Sequence, residues 1–568
     1  MNPPKGPKRI SRIASPVTTD APDFSLGEAQ SRFEERIRAW EGDGFARRLW
    51  AGDPTLWTPG PVPEIANRLA WLDLPQTMAA RLAGIQAFAE EVKTGGFAHA
   101  VLMGMGGSSL APEVFQRTFG NVPGFPELIV LDSTHPAAVA AVERRIDIPR
   151  TLFIVSSKSG TTVEPLSFFR YFWRLAGQAA ASPGRHFVAV TDPGTPLAAM
   201  ARDRGFRRVF EADPNVGGRF SALSEFGLVP AALAGLDAAK LLAGARVEAR
   251  ANSAGTSAGD APGLLLGAAI GESALSRDKL TMLTSPSLRR LPEWIEQLIA
   301  ESTGKDGKGI IPVADEPAVS PGLYGRDRVF VSIILDGDPG GALGGLTDTL
   351  ERAGHPVIRT RVHDLYSLGR EFYRWEVAVA AAGSVLGIHP FNQPDVELAK
   401  ELARKAMTRS GGGPASTAPQ EALPADDAPS LRRAFDRWLG QARPGDYVAI
   451  QAFLAPQEEI SRVLRDLRFG LLSRTGLATT LGYGPRFLHS TGQLHKGGPD
   501  EALVLQIVDE PAADLAVPET DFTFGALIRA QALGDYLALR QRGRRVLRVN
   551  LKRDPMGGIR LLGSWAGS

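Results

Sequence analysis

The 568-residue chain reads as an α/β protein, with two doubly wound, mainly parallel sheets behind an N-terminal helical layer. Three observations predict this class. Short apolar runs alternate with helical segments in two separate blocks, the pattern of parallel strands covered on both faces. The chain is too long for one ordinary domain, and a hydrophobic content of 43% supplies core for two. Two strands of the first block are followed by Gly/Ser-rich loops, and ligands of such sheets sit beyond the carboxyl ends of the strands.

The elements follow in order. Residues 1–22 form a basic, Pro/Ser-bearing tail without an apolar h-region, expected to be disordered in a cytoplasmic protein. Residues 23–97 form the helical layer, with helices over 26–50 and 63–92. The second repeats Ile65, Leu69, Leu72, Met78, Leu82, Ile85 and Phe88 along one face. The first sheet unit, 98–260, takes strands at 99–105, 128–132, 152–156, 187–191 and 208–211. Residues 261–311 read as connecting helices. The second unit, 312–568, takes strands at 329–335, 357–362, 447–453, 503–508 and 546–551. Within it, SGGGPASTAPQEALPADDAP (410–429) has the composition of a disordered insertion.

The chain is organised around TLFIVSSKSGTTVEP (151–165), a buried strand, a hydroxyl-rich loop and a helix start. Helix N-termini present unpaired N–H groups and the positive end of the dipole, so this order builds an anion site. Ser157, Ser159 and Thr162 offer hydroxyl donors, and Lys158 a neutralising charge. Pro165 suits the first helical turn. GMGGSSLAP (104–112) follows the first strand. Its glycines, Gly107 among them, admit close backbone approach, and Ser108 can hydrogen-bond a ligand, although tight strand–helix packing explains such a turn equally well.

Arg219 follows two glycines and is free to reach into a pocket, where it can counter developing negative charge. A capped helix over 285–305 places Gln297 and Glu301 four apart on one face. Glu301 meets the unfavourable end of the dipole, which suits a general base. GIHPFNQPDVELAK (387–400) opens another helix, with Gln393 able to touch a polar ligand and Lys400 two turns in. FLHSTGQLHKGGP (487–499) carries His495 as a proton-transfer candidate and His489 as its rival.

The net charge of +2 makes no case for nucleic acid, and no apolar run approaches the roughly 20 residues that span a bilayer. The absence of Cys removes thiolate chemistry, and the eight His show no metal spacing. No metal and no cofactor are expected.

GMGGSSLAP, SSKSGTTVEP, VGGRFSALSEFGL, EQLIAESTGK and NQPDVELAK together resemble, in order, the signatures of the glucose-6-phosphate isomerase family. FLHSTGQLHKGG and RAQALGDYLAL resemble, more narrowly, the isomerase half of bifunctional transaldolase–phosphoglucose isomerases, although the transaldolase barrel has no room here. The resemblance covers most of the chain and implies two sugar-isomerase-type subdomains. It implies phosphate on Ser157, Lys158, Ser159 and Thr162, and sugar against Gly107, Ser108, Gln297 and Gln393. It further implies Glu301 as catalytic base, Arg219 beside the enediolate, and Lys400 assisting ring opening.

In that family the ring-opening His lies between the Glu and Lys motifs and comes from a second subunit, which leaves a homodimer open. Here no such segment separates Glu301 from Lys400, and STGQLH puts His495 after both. The implied partner is a sugar phosphate, glucose 6-phosphate or fructose 6-phosphate, interconverted through a cis-enediol. Two alternatives stand beside it: a non-catalytic sugar-phosphate sensor, and an isomerase of another phosphosugar such as mannose 6-phosphate.

Overall fold

The structure, a computed structural model, describes residues 21–60, 62–338, 341–409 and 422–567. Among these, fifteen strands form three five-stranded sheets. In chain order the strands are β1 (Asp23–Ser25), β2 (His99–Met103), β3 (Glu127–Leu131), β4 (Thr151–Ser156), β5 (Phe187–Thr191) and β6 (Arg208–Glu211). They continue with β7 (Lys279–Thr284), β8 (Ile311–Val313), β9 (Arg328–Leu335), β10 (Val357–Val362) and β11 (Leu423–Pro424). The last four are β12 (Tyr447–Phe453), β13 (Ala478–Tyr483), β14 (Ala502–Val508) and β15 (Arg545–Asn550).

The first sheet, β3-β2-β4-β5-β6, is wholly parallel, as its five apolar runs predict. Strand β4 is buried along its whole length. The expectation of one second sheet is corrected. β9 and β10 join β7, β8 and an antiparallel β1, whereas β12, β14 and β15 join β13 and β11. The physical reason lies in β7 (KLTMLT) and β13 (ATTLGY). Their threonines interrupt the apolar run, yet each pairs in parallel with a longer apolar strand, β7 with β9 and β13 with β12.

The N-terminal tail expected over 1–22 falls mostly outside the described residues, as do residues 410–421 of the expected insertion. Residues 422–429 are described and ordered: Leu423 pairs with Val549, and Ala428 opens a helix.

Apolar cores hold the sheets together. The largest joins the N-terminal helices to one face of the first sheet and to the second sheet, around Trp71, Trp294 and Trp375. The opposite face of the first sheet packs Phe153, Phe168 and Phe172 against Val517 and Phe524, which belong to the third sheet's unit. Ala300, beside Glu301, packs with Ile311 and Val313 on Tyr447, Ala449 and Val504 of the third sheet. Each fully buried side chain of this size contributes about 1.5–3 kcal/mol, so the three units are fastened through core and not through linkers alone.

Candidate active site

The candidate site lies where loops at the carboxyl ends of the first sheet meet the Glu301 helix and a loop of the third unit. After β4, Ser157 Oγ donates to Thr162 Oγ1 (3.0 Å), and Ser159 Oγ pairs with Thr161 Oγ1 (3.0 Å). Gly160 turns the loop at φ +68°, and a Cβ there would lie 2.8 Å from the Leu197 nitrogen. The helix Val163–Ala179 begins with no side chain capping its first turn. Its leading N–H groups are left to an anion. Lys158 reaches Asp192 and the Pro214 carbonyl (3.2 Å). Burial lowers the Lys158 ammonium and raises the Asp192 carboxyl in spite of their pairing.

After β2, backbone meets backbone. A Cβ on Gly107 would fall 1.9 Å from the Gly218 carbonyl oxygen. One on Gly106, at φ +53°, would fall 2.6 Å from the His489 carbonyl oxygen and 2.9 Å from Gln297 Nε2. Only glycine fits at either position. Ser108 is buried on the turn that follows.

This contact places Arg219, which is 3% exposed. Its guanidinium donates to Ser302 Oγ (2.8 Å), Gln393 Oε1 (2.9 Å), the Pro390 carbonyl (2.7 Å) and the Asn392 carbonyl (3.0 Å). It pairs with Glu301 Oε1 at 3.0 Å. Burial pulls the guanidinium below its usual range, and Glu301 acts against that pull.

The helix that carries Glu301 spans Leu291–Thr303, shorter than the sequence predicts because 286–288 form a separate 3₁₀ turn. Leu291, Trp294, Ile295, Leu298 and Ile299 bury one stripe, which turns Gln297 and Glu301 together toward the pocket. Gln297 Nε2 donates to Glu301 Oε2 (3.1 Å) and to the His489 carbonyl (2.8 Å). Its Oε1 is buried without a hydrogen-bond partner, an acceptor awaiting a donor. Lys305, just past the helix, donates to the carbonyls of His389 (2.7 Å) and Asn392 (2.6 Å) and holds the turn that carries Gln393. Burial drives this ammonium well below its ordinary value, and Arg219 adds to the effect.

The structure places the two histidines differently. The short helix Gly492–Gly497 turns His495 inward, 4% exposed, with Nδ1 3.1 Å from Gln451 Nε2 on β12. Burial, with Lys496 and Arg544 nearby, pushes it down to about 3, so it is neutral at working pH. His489, six residues earlier, meets the pocket. Its Nε2 lies 2.9 Å from Glu164 Oε1, while its carbonyl receives Gln297. Burial raises the Glu164 carboxyl, but His489 and Lys400 outweigh it and leave the carboxyl lowered.

The His489 turn is anchored by Arg486, which joins Glu113, Asp132 (3.1 Å) and Glu293 (2.9 Å). Lys400 stands on the exposed side of the helix Glu397–Arg409, paired with Glu397 at 2.7 Å. It makes no hydrogen bond to another expected site residue, although its charge is felt at Glu164.

The structure brings Gly107, Arg219, Gln297, Glu301 and Gln393 into one cluster. Glu164, Lys305 and Arg486 are not among the residues that the motifs predict. The sole sequence signal for Glu164 is an acid in the first turn after a hydroxyl loop, which helix capping explains as well. Among the described residues no group of three or more His, Asp or Glu could hold a metal ion, and no helix is long and apolar enough to cross a membrane.

A family model described as phosphoglucose isomerase matches residues 73–311. A glucose-6-phosphate isomerase of Rubrobacter xylanophilus is 30% identical over 392 residues, 60% of this chain and 89% of that protein. One from Heliobacterium modesticaldum is 31% identical over 381 residues, 58% of this chain and 84% of that protein. Among solved structures, a hypothetical protein from Thermus thermophilus superposes with a TM-score of 0.57 at 26% identity, covering 67% of this chain and 99% of that one. A glucose-6-phosphate isomerase from Chlamydia trachomatis gives 0.51 at 22% identity, over 65% and 79%, a likeness of fold.

Proposed function

The chain belongs to the phosphoglucose isomerase family, and from that premise we propose how its own residues interconvert glucose 6-phosphate and fructose 6-phosphate. The substrate phosphate takes the uncapped start of the Val163–Ala179 helix, with the hydroxyls of Ser157, Ser159 and Thr162 and the Lys158 ammonium around it. Holding the phosphate fixes a flexible sugar near its base, and such positioning supplies much of an enzyme's rate.

His489, backed by Glu164, moves a proton between the ring oxygen and the anomeric hydroxyl to open the ring, with Lys400 assisting. Glu301 then removes the proton from C2. The C–H electron pair becomes the C1=C2 bond, and the carbonyl at C1 becomes an enediolate oxygen that Arg219 faces as its charge grows. The O2 proton passes to O1, and return of the proton from Glu301 to C1, with the C1=C2 electron pair forming the new C–H bond, leaves the C2 carbonyl of the ketose. Gln297 steadies the base through Nε2 and offers its free Oε1 to a substrate hydroxyl. Only protons move in these steps.

The observation that carries the reading is the Glu301 carboxylate with Arg219 on one oxygen and Gln297 on the other. A sensor has no use for a base so placed. Glu301→Gln keeps the shape and loses the base. The expected result in a coupled assay is undiminished sugar-phosphate binding with turnover lowered by at least about 10²–10⁴-fold, the worth of a general base. In heavy water, deuterium no longer enters at C2. Turnover at the parent rate refutes the base, and tight binding without conversion by the parent enzyme favours the sensor.

A further inference from the structure

We propose that Gln531 is a positioning residue for ring opening, holding Glu164 so that one of its oxygens faces His489. This rests on the reading of His489 given above. Gln531 is 6% exposed on the helix Phe524–Gln541 of the third unit, 367 residues away from Glu164 in sequence. Its Nε2 donates to Glu164 Oε1 at 2.7 Å, the same oxygen that lies 2.9 Å from His489 Nε2.

The amide has one way to face. Thr134, fully buried just after β3, donates from Oγ1 to Gln531 Oε1 at 2.8 Å. Flipping the amide would set an acceptor against the carboxylate, which a buried site does not tolerate. Three chain segments, after β3, after β4 and on the third unit's helix, thus converge on one carboxylate. With Gln531 and His489 on the same oxygen, the carboxylate holds the imidazole in one orientation.

The same helix also sets Lys400. One turn beyond Gln531, a Cβ on Gly534 would lie 2.6 Å from the Ala403 nitrogen and 2.7 Å from the Ala399 carbonyl oxygen. The Lys400 helix therefore rests on it backbone to backbone.

The test compares Gln531→Leu and Thr134→Val, each in the parent and in Glu164→Gln. Two quantities are read: kcat with fructose 6-phosphate, and the calorimetric Kd of 6-phosphogluconate, an open-chain acid with no ring to open. Gln531→Leu is expected to lower kcat roughly 10-fold, the worth of a hydrogen bond to a charged group. Thr134→Val is expected to lower it less. Affinity for the open-chain acid stays within about 2-fold, and in Glu164→Gln the second change costs under about 2-fold.

Parent-level kcat in Gln531→Leu, an equal fall in both backgrounds, or a loss of open-chain affinity matching the loss of kcat overturns the proposal. His489→Ala is measured beside them. If it turns over at the parent rate, the assignment of His489 falls and takes this proposal with it. If it is slow while Gln531→Leu is not, this proposal alone falls.

Discussion

The first and third sheets are both five-stranded and parallel, yet the ends of their strands do different work. The first leaves its loops open: a glycine turn after β2, and hydroxyls with an uncapped helix after β4. The third fills its own. Gln451 and Gln506, fully buried on β12 and β14, bond one another at 3.3 Å, and His495 plugs the space above Gln451. What the third unit exports is Arg486, His489 and Gln531, all aimed at the first sheet. Asp509, just past β14, also meets His135, just past β3, at 3.2 Å. The same architecture serves once as an open cradle and once as a wall that carries His489 toward it. A parallel sheet does not by itself mark a binding site, since the chemistry of its loops decides.

The sharpest way to break this comparison is within the motif HSTGQLH. His489→Ala is expected to lower kcat by about 10²–10⁴-fold. His495→Gln is expected to retain kcat and lose stability, as urea unfolding reads. Equal effects on turnover would erase the distinction. Next comes subunit independence. Glu164, Glu301 and His489 meet within one chain, so mixing Glu301→Gln with His489→Ala protein is expected to restore no activity. Recovery toward a quarter of the parent rate would show that the histidine crosses between subunits.

Arg486→Met takes their shared cation from Glu113, Asp132 and Glu293, of which Glu293 keeps another cation, Arg290. A loss of about 1–3 kcal/mol in unfolding free energy is expected, less than for a fully buried pair because these side chains keep some contact with solvent.

Two smaller effects concern pH. His495 is held at about 3, below the unfolded value of about 6.5, so the folded state binds fewer protons. Stability present above pH 6.5 is lost as pH falls toward 3, and His495→Gln flattens that slope in urea midpoints. Glu376 runs the other way. It is fully buried with neither oxygen hydrogen-bonded, and burial alone lifts its carboxyl well above the ordinary value. Its folded form keeps the proton, so stability falls as pH rises above the unfolded value. Glu376→Gln is expected to raise the Tm at pH 8 and leave it unchanged at pH 4.

Much of this was legible in sequence because it is local. The apolar runs of the first sheet name their own strands, and the four-residue step from Gln297 to Glu301 fixes a shared helical face. β7 and β13 were not legible, because their threonines cut the apolar runs into pieces too short to read as a buried strand or a helix. The two histidines were not separable for a related reason. Which one turns inward depends on where a six-residue helix starts, and propensity does not resolve so short an element. Glu164 and Gln531 lay inside stretches that sequence reasoning had singled out, but the bond between them spans most of the chain. No local pattern encodes such a pairing, and it becomes visible only once the third unit is seen to close over the first.

The contact of Gly107 with Gly218 has an evolutionary consequence. Main chain touches main chain there, so no side chain remains to be trimmed for a bulkier sugar, and any added methyl prises the two loops apart. Change at this contact is therefore closed, whereas exposed positions such as Gln393 remain free to vary in size.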